Sequence, residues 1–137
     1  MNKIEEGLKL TLDFEKLKKA ASIYENILPV VVQDNTTMQV LLLAFVNKPA
    51  LDQTIQTGIA TFWSTSRNEL WVKGDTSGQL LDIVDIRVNC EQNSLLFLVQ
   101  IREDGACHTK NMKGKHRYTC YYRSLKKGKL EFINELL

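Results

Sequence analysis

The sequence predicts one α+β domain of 137 residues, built on a mainly antiparallel β-sheet with a few short helices. Three observations carry this. Strand-like apolar runs outnumber helical stretches and do not alternate with them regularly, which argues against a doubly wound sheet. Apolar residues make up 44% of the chain, enough for a core at this length. No internal repeat or low-complexity linker divides the chain, so residues 1–137 read as a single domain.

The elements follow in order. Residues 12–24 carry Phe14, Leu17, Ala20 and Ala21 on one face and read as an amphipathic helix. Residues 27–32 and 38–45 are apolar runs on either side of the turn signal Asp34-Asn35, which predicts a β-hairpin. Asn47 followed by Pro49 marks a helix start: a capping side chain, then a proline whose missing N–H costs nothing there. Gly58 is the matching stop. Residues 59–64 read as a strand. Residues 80–88 and 94–101 read as two more, around the turn at Glu91-Gln92-Asn93. The tail, with Lys126, Lys127 and Lys129 and then apolar residues, reads as a short surface helix or simply a solvated charged face.

Charge and hydropathy exclude some functions. Lys and Arg number 18 against 16 Asp and Glu, a net charge of +2. A general nucleic-acid binder shows a much stronger basic excess, whereas one phosphorylated small molecule needs only a few local cations. No run approaches the roughly 20 apolar residues that span a bilayer. The start, Met1-Asn2-Lys3-Ile4-Glu5-Glu6, lacks the basic-then-apolar pattern of a signal peptide. The expectation is a cytosolic protein with no membrane partner and reduced cysteines.

There are three cysteines, so any internal disulfide leaves one over. In a reducing compartment thiols serve as metal ligands, nucleophiles or core residues. Cys90, Cys107 and Cys120 form no C-x-x-C pair, so the closed four-ligand pattern of a zinc finger is absent. Three thiolates would leave a fourth tetrahedral position for water, the arrangement of a catalytic zinc. Buried core thiols fit the same spacing, and both readings stay open on spacing alone. His108, adjacent to Cys107, is the natural base beside a bound water. It could equally close the site as a fourth ligand, or be structural.

The densest polar stretch runs through Phe62-Trp63-Ser64-Thr65-Ser66-Arg67 to Trp71 and then Lys73-Gly74-Asp75-Thr76-Ser77-Gly78. The hydroxyls of Ser64, Ser66, Thr76 and Ser77, the cations Arg67 and Lys73, and the turns at Gly74 and Gly78 make an anion pocket. Trp63 and Trp71 supply a flat apolar wall for a base. A surface loop with two core tryptophans is the competing reading. The stretch is neither a P-loop nor a dinucleotide fingerprint.

These segments resemble the phosphoribosyl-AMP cyclohydrolases of histidine biosynthesis. The likeness covers about residues 12–123. It is strongest in Trp63-Ser64-x-Ser66-Arg67 and Trp71-x-Lys73-Gly74-x-Thr76-Ser77-Gly78, with Cys107-His108-Thr109 and Cys120-Tyr121-Tyr122-Arg123 as further support. The resemblance implies hydrolysis of the N1–C6 bond of the adenine ring in phosphoribosyl-AMP. It also implies an intertwined homodimer whose zinc ligands, Cys90, Cys107 and Cys120, come from both subunits. His108, beside Cys107, remains the candidate catalytic base. The segment from Trp63 to Gly78 becomes the substrate site for a doubly phosphorylated nucleotide. Zinc deaminases use a similar thiolate-rich site to deliver hydroxide to C6 of adenine.

The sequence departs from the family in two places. The family's Asp-Cys-Asp-x-Asp, assigned to magnesium, is here Asn89-Cys90-Glu91-Gln92-Asn93, with one acid left. Magnesium prefers charged oxygens, so Asn89, Glu91 and Asn93 are expected to bind it weakly or to form only a polar turn. The linker from Cys107 to Cys120 is also longer, adding polar and basic residues such as Lys113, Lys115 and His116. A nucleotide-binding, zinc-stapled dimer without turnover is the alternative function, and a thiol-based redox protein is a third.

Overall fold

The computed structural model describes residues 2–23, 26–75 and 78–133. A short helix, α1 (Lys3–Glu6), opens the chain, with the Asn2 side chain accepting from the backbone N–H groups of Ile4 and Glu5. Helix α2 spans Lys16–Ile23 and is shorter than the expected 12–24, of which Tyr24 lies outside the described residues. Of its expected apolar face only Ala20 is buried. Ala21 is exposed, as are Leu17 and, before the helix begins, Phe14 at 88%. The helical spacing is real, but nothing described in this chain covers that face.

The hairpin of β1 (Leu28–Asp34) and β2 (Val40–Val46) forms as expected, with Val30 opposite Ala44. Helix α3 (Lys48–Thr57) begins and ends where its caps predict. Asn47 Oδ1 accepts from Ala50 N at 3.0 Å. Gly58 adopts φ 73°, the left-handed conformation of a helix stop, and donates its N–H to Thr54 O. Asn47→Ala is expected to cost about 1 kcal/mol. An unchanged urea midpoint would show that the cap contributes nothing.

Next come β3 (Thr61–Ser64) and β4 (Glu69–Val72), which pair antiparallel. The turn-forming residues between them include Asn68, at φ 54°. Strand β4 lies within the dense polar stretch, where no strand was expected. Strands β5 (Leu81–Val88) and β6 (Leu95–Ile101) follow their expected bounds to within a residue. The main sheet has the order β2-β1-β6-β5. Its β1–β6 pair is parallel and its other pairs are antiparallel, so the mainly antiparallel α+β expectation holds.

The tail corrects an expectation. Where a surface helix was predicted, β7 (Arg123–Lys126) and β8 (Lys129–Phe132) form a hairpin. Lys127 and Gly128 both take positive φ, 50° and 77°, the two-residue turn whose twist matches that of paired strands. Phe132 at its end stacks on Tyr122, with ring centroids 6.0 Å apart.

The core gathers Val30, Val32, Leu41, Phe62, Leu81, Phe97 and Val99 between the sheet, α3 and the β3–β4 hairpin. Phe62 sits 5.8 Å from both Phe97 and Trp71, ring to ring, fastening β3 and β4 to the main sheet. Trp71 therefore has a fixed backing. Among the described residues no helix is long and apolar enough to cross a membrane.

Candidate active site

Two of the three cysteines meet. The segment at Ala106-Cys107 runs beside Arg117-Tyr118, with Ala106 N donating to Tyr118 O at 3.2 Å and Cys107 N to Arg117 O at 3.0 Å. Gly105 permits the approach, since a Cβ there would lie 2.4 Å from the carbonyl oxygens of both His116 and Arg117. Cys120 is tied to β2 through its backbone N–H to Leu41 O at 2.8 Å. Its neighbour Thr119 bonds the carbonyls of Val40 and Leu41. Tyr118 donates its hydroxyl to Asp34 at the end of β1, 2.7 Å away. The strands thereby hold the two cysteines side by side.

The two thiols hydrogen-bond to each other. Hydrogen bonding from Cys120 lowers the Cys107 thiol to about 5, and Thr109 adds bonds from its hydroxyl and backbone N–H. The Cys120 thiol is correspondingly pushed up, by its bond to Cys107 and by burial. A thiolate beside a thiol, set against ordered donors, is a soft, preformed pair suited to zinc. Lys73 stands by it. Its side chain is only 4% exposed. Burial pulls its ammonium below the ordinary lysine range, while the charges of Cys120 and Cys107 act the other way. The sequence suggested a phosphate ligand at Lys73; in this structure its charge also acts on the thiols.

Cys90 is elsewhere. It is exposed, on the turn joining β5 to β6. Among the described residues no three His, Cys, Asp or Glu side chains converge on one point. Asn89, beside Cys90, borders an apolar groove of about 440 Å³ whose walls include Val31, Val40, Val88 and Leu96.

The oxygens around Cys90 do not suit magnesium. Asn89 Oδ1 accepts from the backbone N–H groups of Asn93 and Ser94, both at 2.9 Å. Asn93 Oδ1 is taken by Asn89 Nδ2 at 2.6 Å. Both lone-pair sites of the Asn89 carbonyl are spent, and only Glu91 carries charge. A hard divalent ion that wants several charged oxygens would have to break the turn to bind.

The polar stretch is partly assembled. Ser64 Oγ lies 3.3 Å from Ser66 Oγ and accepts from Arg67 N at 3.2 Å. The Arg67 guanidinium and the Lys73 ammonium lie 5.9 and 5.6 Å from the Trp71 ring centroid, within cation–π range. Arg67, Trp71 and Asp75 line a hollow of about 240 Å³. Trp63 is half-buried on β3, opposite Leu70. Gly74 and Gly78 both take φ 84°. Thr76 and Ser77 lie outside the described residues. The chain thus links the hollow to the thiol pair through Lys73.

His108 is exposed, and its Nε2 lies 3.2 Å from Glu5 Oε1. The longer linker folds into a tight turn in which Asn111 Oδ1 accepts from Lys113 N and Lys115 N. His116 at its end lies 3.0 Å through Nδ1 from Cys107 O. Sequence reasoning missed the N-terminal contribution. Arg117, only 5% exposed, makes two bonds to the Glu6 carboxylate at 2.7 and 3.0 Å, which hold that carboxyl below its usual range. The capping pattern Asn2-x-x-Glu5 could have signalled the short helix, though not where it docks.

Residues 42–122 match the family model for phosphoribosyl-AMP cyclohydrolase. A phosphoribosyl-AMP cyclohydrolase of Hyphomonas neptunium is 45% identical over 105 residues, covering 77% of this chain and 75% of that protein. One of Desulfatibacillum aliphaticivorans is 40% identical over 126 residues, 92% of this chain and 90% of that protein. The histidine biosynthesis bifunctional protein HisIE of Aquifex aeolicus is 36% identical over 107 residues, 78% of this chain and 49% of that protein.

Proposed function

Since this chain belongs to the phosphoribosyl-AMP cyclohydrolase family of histidine biosynthesis, we propose that it hydrolyses the N1–C6 bond of phosphoribosyl-AMP at a zinc site shared between two copies. In this reading Cys107 and Cys120 of one protomer and Cys90 of the second hold the metal. The observation that carries it is the split among the thiols: two are preformed as a pair, and the third is exposed on a turn beside an apolar groove. A thiolate-rich donor set of this kind favours zinc over harder ions.

When bound, the metal supplies Lewis acidity. Three thiolates would leave the site net negative, and the buried Lys73 ammonium beside them offsets part of that charge. Trp71, braced by Phe62, supports the purine face, with Trp63 a second candidate wall. Arg67 and the hydroxyls of Ser64 and Ser66 bind phosphate, with Thr76 and Ser77 added from the sequence pattern. His108 accepts a proton from the attacking water as the oxygen bonds to C6. Cleavage of C6–N1 then returns a proton to N1, which stays bonded to C2 as the N–H of an amidine while C6 becomes the carboxamide carbon.

The spent oxygens of Asn89 and Asn93 favour one second reading, a zinc-stapled dimer that binds nucleotide without turnover. Sustained ring opening, followed by ultraviolet absorbance with purified protein and zinc, excludes it; its absence sinks the first reading. The shared site has its own test. Cys90→Ser and Cys107→Ser should each be inactive alone. Unfolded and refolded together, they should recover about a quarter of wild-type activity, since half the dimers are mixed and each has one intact site. No recovery would place all three ligands in one chain.

A further inference from the structure

We propose that Glu5, carried on a strap formed by residues 2–8, is a positioning residue that sets the orientation and tautomer of His108. This inference rests on the reading of His108 as the proton acceptor.

The strap is fastened on both sides of Glu5. The buried Arg117 clamps the Glu6 carboxylate with two bonds and lies 4.3 Å over the Tyr122 ring. Tyr122 donates its hydroxyl to Glu5 O at 2.8 Å, and Arg123 donates to Gly7 O at 2.7 Å. Leu130 N bonds Leu8 O at 3.0 Å. The backbone of Glu5 is therefore fixed without help from its own side chain. That leaves the carboxylate free to act, and it reaches His108 Nε2 at 3.2 Å while Asn2 Nδ2 donates to the same oxygen at 3.1 Å.

The contact has a chemical consequence. A carboxylate oxygen accepts hydrogen bonds, so in the neutral imidazole the bonded Nε2 carries the hydrogen. Nδ1 is then the ring nitrogen with the free lone pair, and it is the atom that takes the proton. An outer carboxylate fixing an imidazole in this way is a recurrent device at metal centres. Stability does not explain the pair, because an ion pair with one partner 74% exposed contributes little. Nor do the thiols: the negative charge of Glu5 acts on Cys120 with the wrong sign for a thiolate. Strap and site are also far apart in sequence, Glu5 and His108 being separated by 103 positions. Residues 2–8 lie outside the stretch 42–122 that matches the family model.

Glu5→Ala should lower kcat about 10–100-fold, with KM, zinc content and melting temperature unchanged. Glu5→Gln, which keeps an acceptor oxygen at the same reach, should recover most of the rate. In a His108→Ala background Glu5→Ala should cause no further loss. A readout independent of metal and turnover is nitrogen-15 NMR of the neutral imidazole, simplified by there being only 2 histidines. Wild type should show the Nε2–H tautomer at His108, and Glu5→Ala a mixture. Unchanged kcat in Glu5→Ala while His108→Ala is inactive would overturn the inference and leave the His108 reading standing. Full activity in His108→Ala would overturn that reading instead. Zinc loss, or single losses that multiply in the double variant, would mark Glu5 as structural and overturn the proposal.

Discussion

Cys107→Ser is expected to leave the fold intact and the protein without bound zinc. Cys107 is buried, and its sulfur sits among small donors: the Cys120 thiol, Thr109 Oγ1 at 3.0 Å and Thr109 N at 3.5 Å. A serine hydroxyl fits that space and those donors, so packing changes little. It stays protonated near neutral pH and is a hard oxygen, and both properties disfavour a soft metal. Turnover should fall by more than about 100-fold, the upper range for loss of a group that only orients a ligand. Elemental analysis after dialysis against a mild chelator checks the metal, and a melting curve checks the fold. Zinc retained at wild-type stoichiometry would remove Cys107 from the proposed ligand set.

The second large effect is expected at Gly74. Its φ of 84° is unfavourable for any side chain, and a Cβ would fall 2.1 Å from the Gln79 carbonyl carbon and 2.5 Å from Leu80 N. The Gln79–Leu80 peptide is backbone and cannot yield cheaply. Gly74→Ala should cost about 3 kcal/mol or more, combining left-handed strain of about 1–2 kcal/mol with overpacking of similar size. Lys73, whose N–H bonds Ala60 O at 3.2 Å, would shift with its neighbour and leave the thiols. Gly58→Ala is the control: φ is 73°, but nothing lies within 4 Å of its Cβ. It should show the strain alone, about 1–2 kcal/mol. Equal urea midpoints for the two variants would refute the close-approach argument.

Much of the fold was legible because its signals are local. Asn47, Pro49 and Gly58 bounded α3 through capping chemistry confined to a few neighbouring residues. The β1–β2 hairpin and β5–β6 announced themselves by apolar runs around turn residues. The tail was misread because three lysines resemble a solvated helix face, whereas the Lys127-Gly128 turn decides for a hairpin. The helix near residue 20 was overextended because helical spacing says nothing about whether a partner covers the face. At the site, the residues were legible by type but their grouping was not. Lys73 read as a phosphate ligand by composition, while its burial against Cys107 and Cys120 depends on how β4 packs.

By itself, then, the sequence determined the family, the α+β class, the identity of the three cysteines and a segment 89–93 with a single acid, Glu91. These follow from residue type and short-range spacing. Only the tertiary structure decided that Cys107 and Cys120 meet while Cys90 stands apart. It also decided that Asn89 and Asn93 spend their oxygens on their own turn, and that Glu5 reaches His108. The physical reason is range. A cap or a turn is satisfied within a few residues, whereas a contact across 103 residues forms only after the sheet, the buried Arg117 clamp and the C-terminal hairpin have brought the chain ends together.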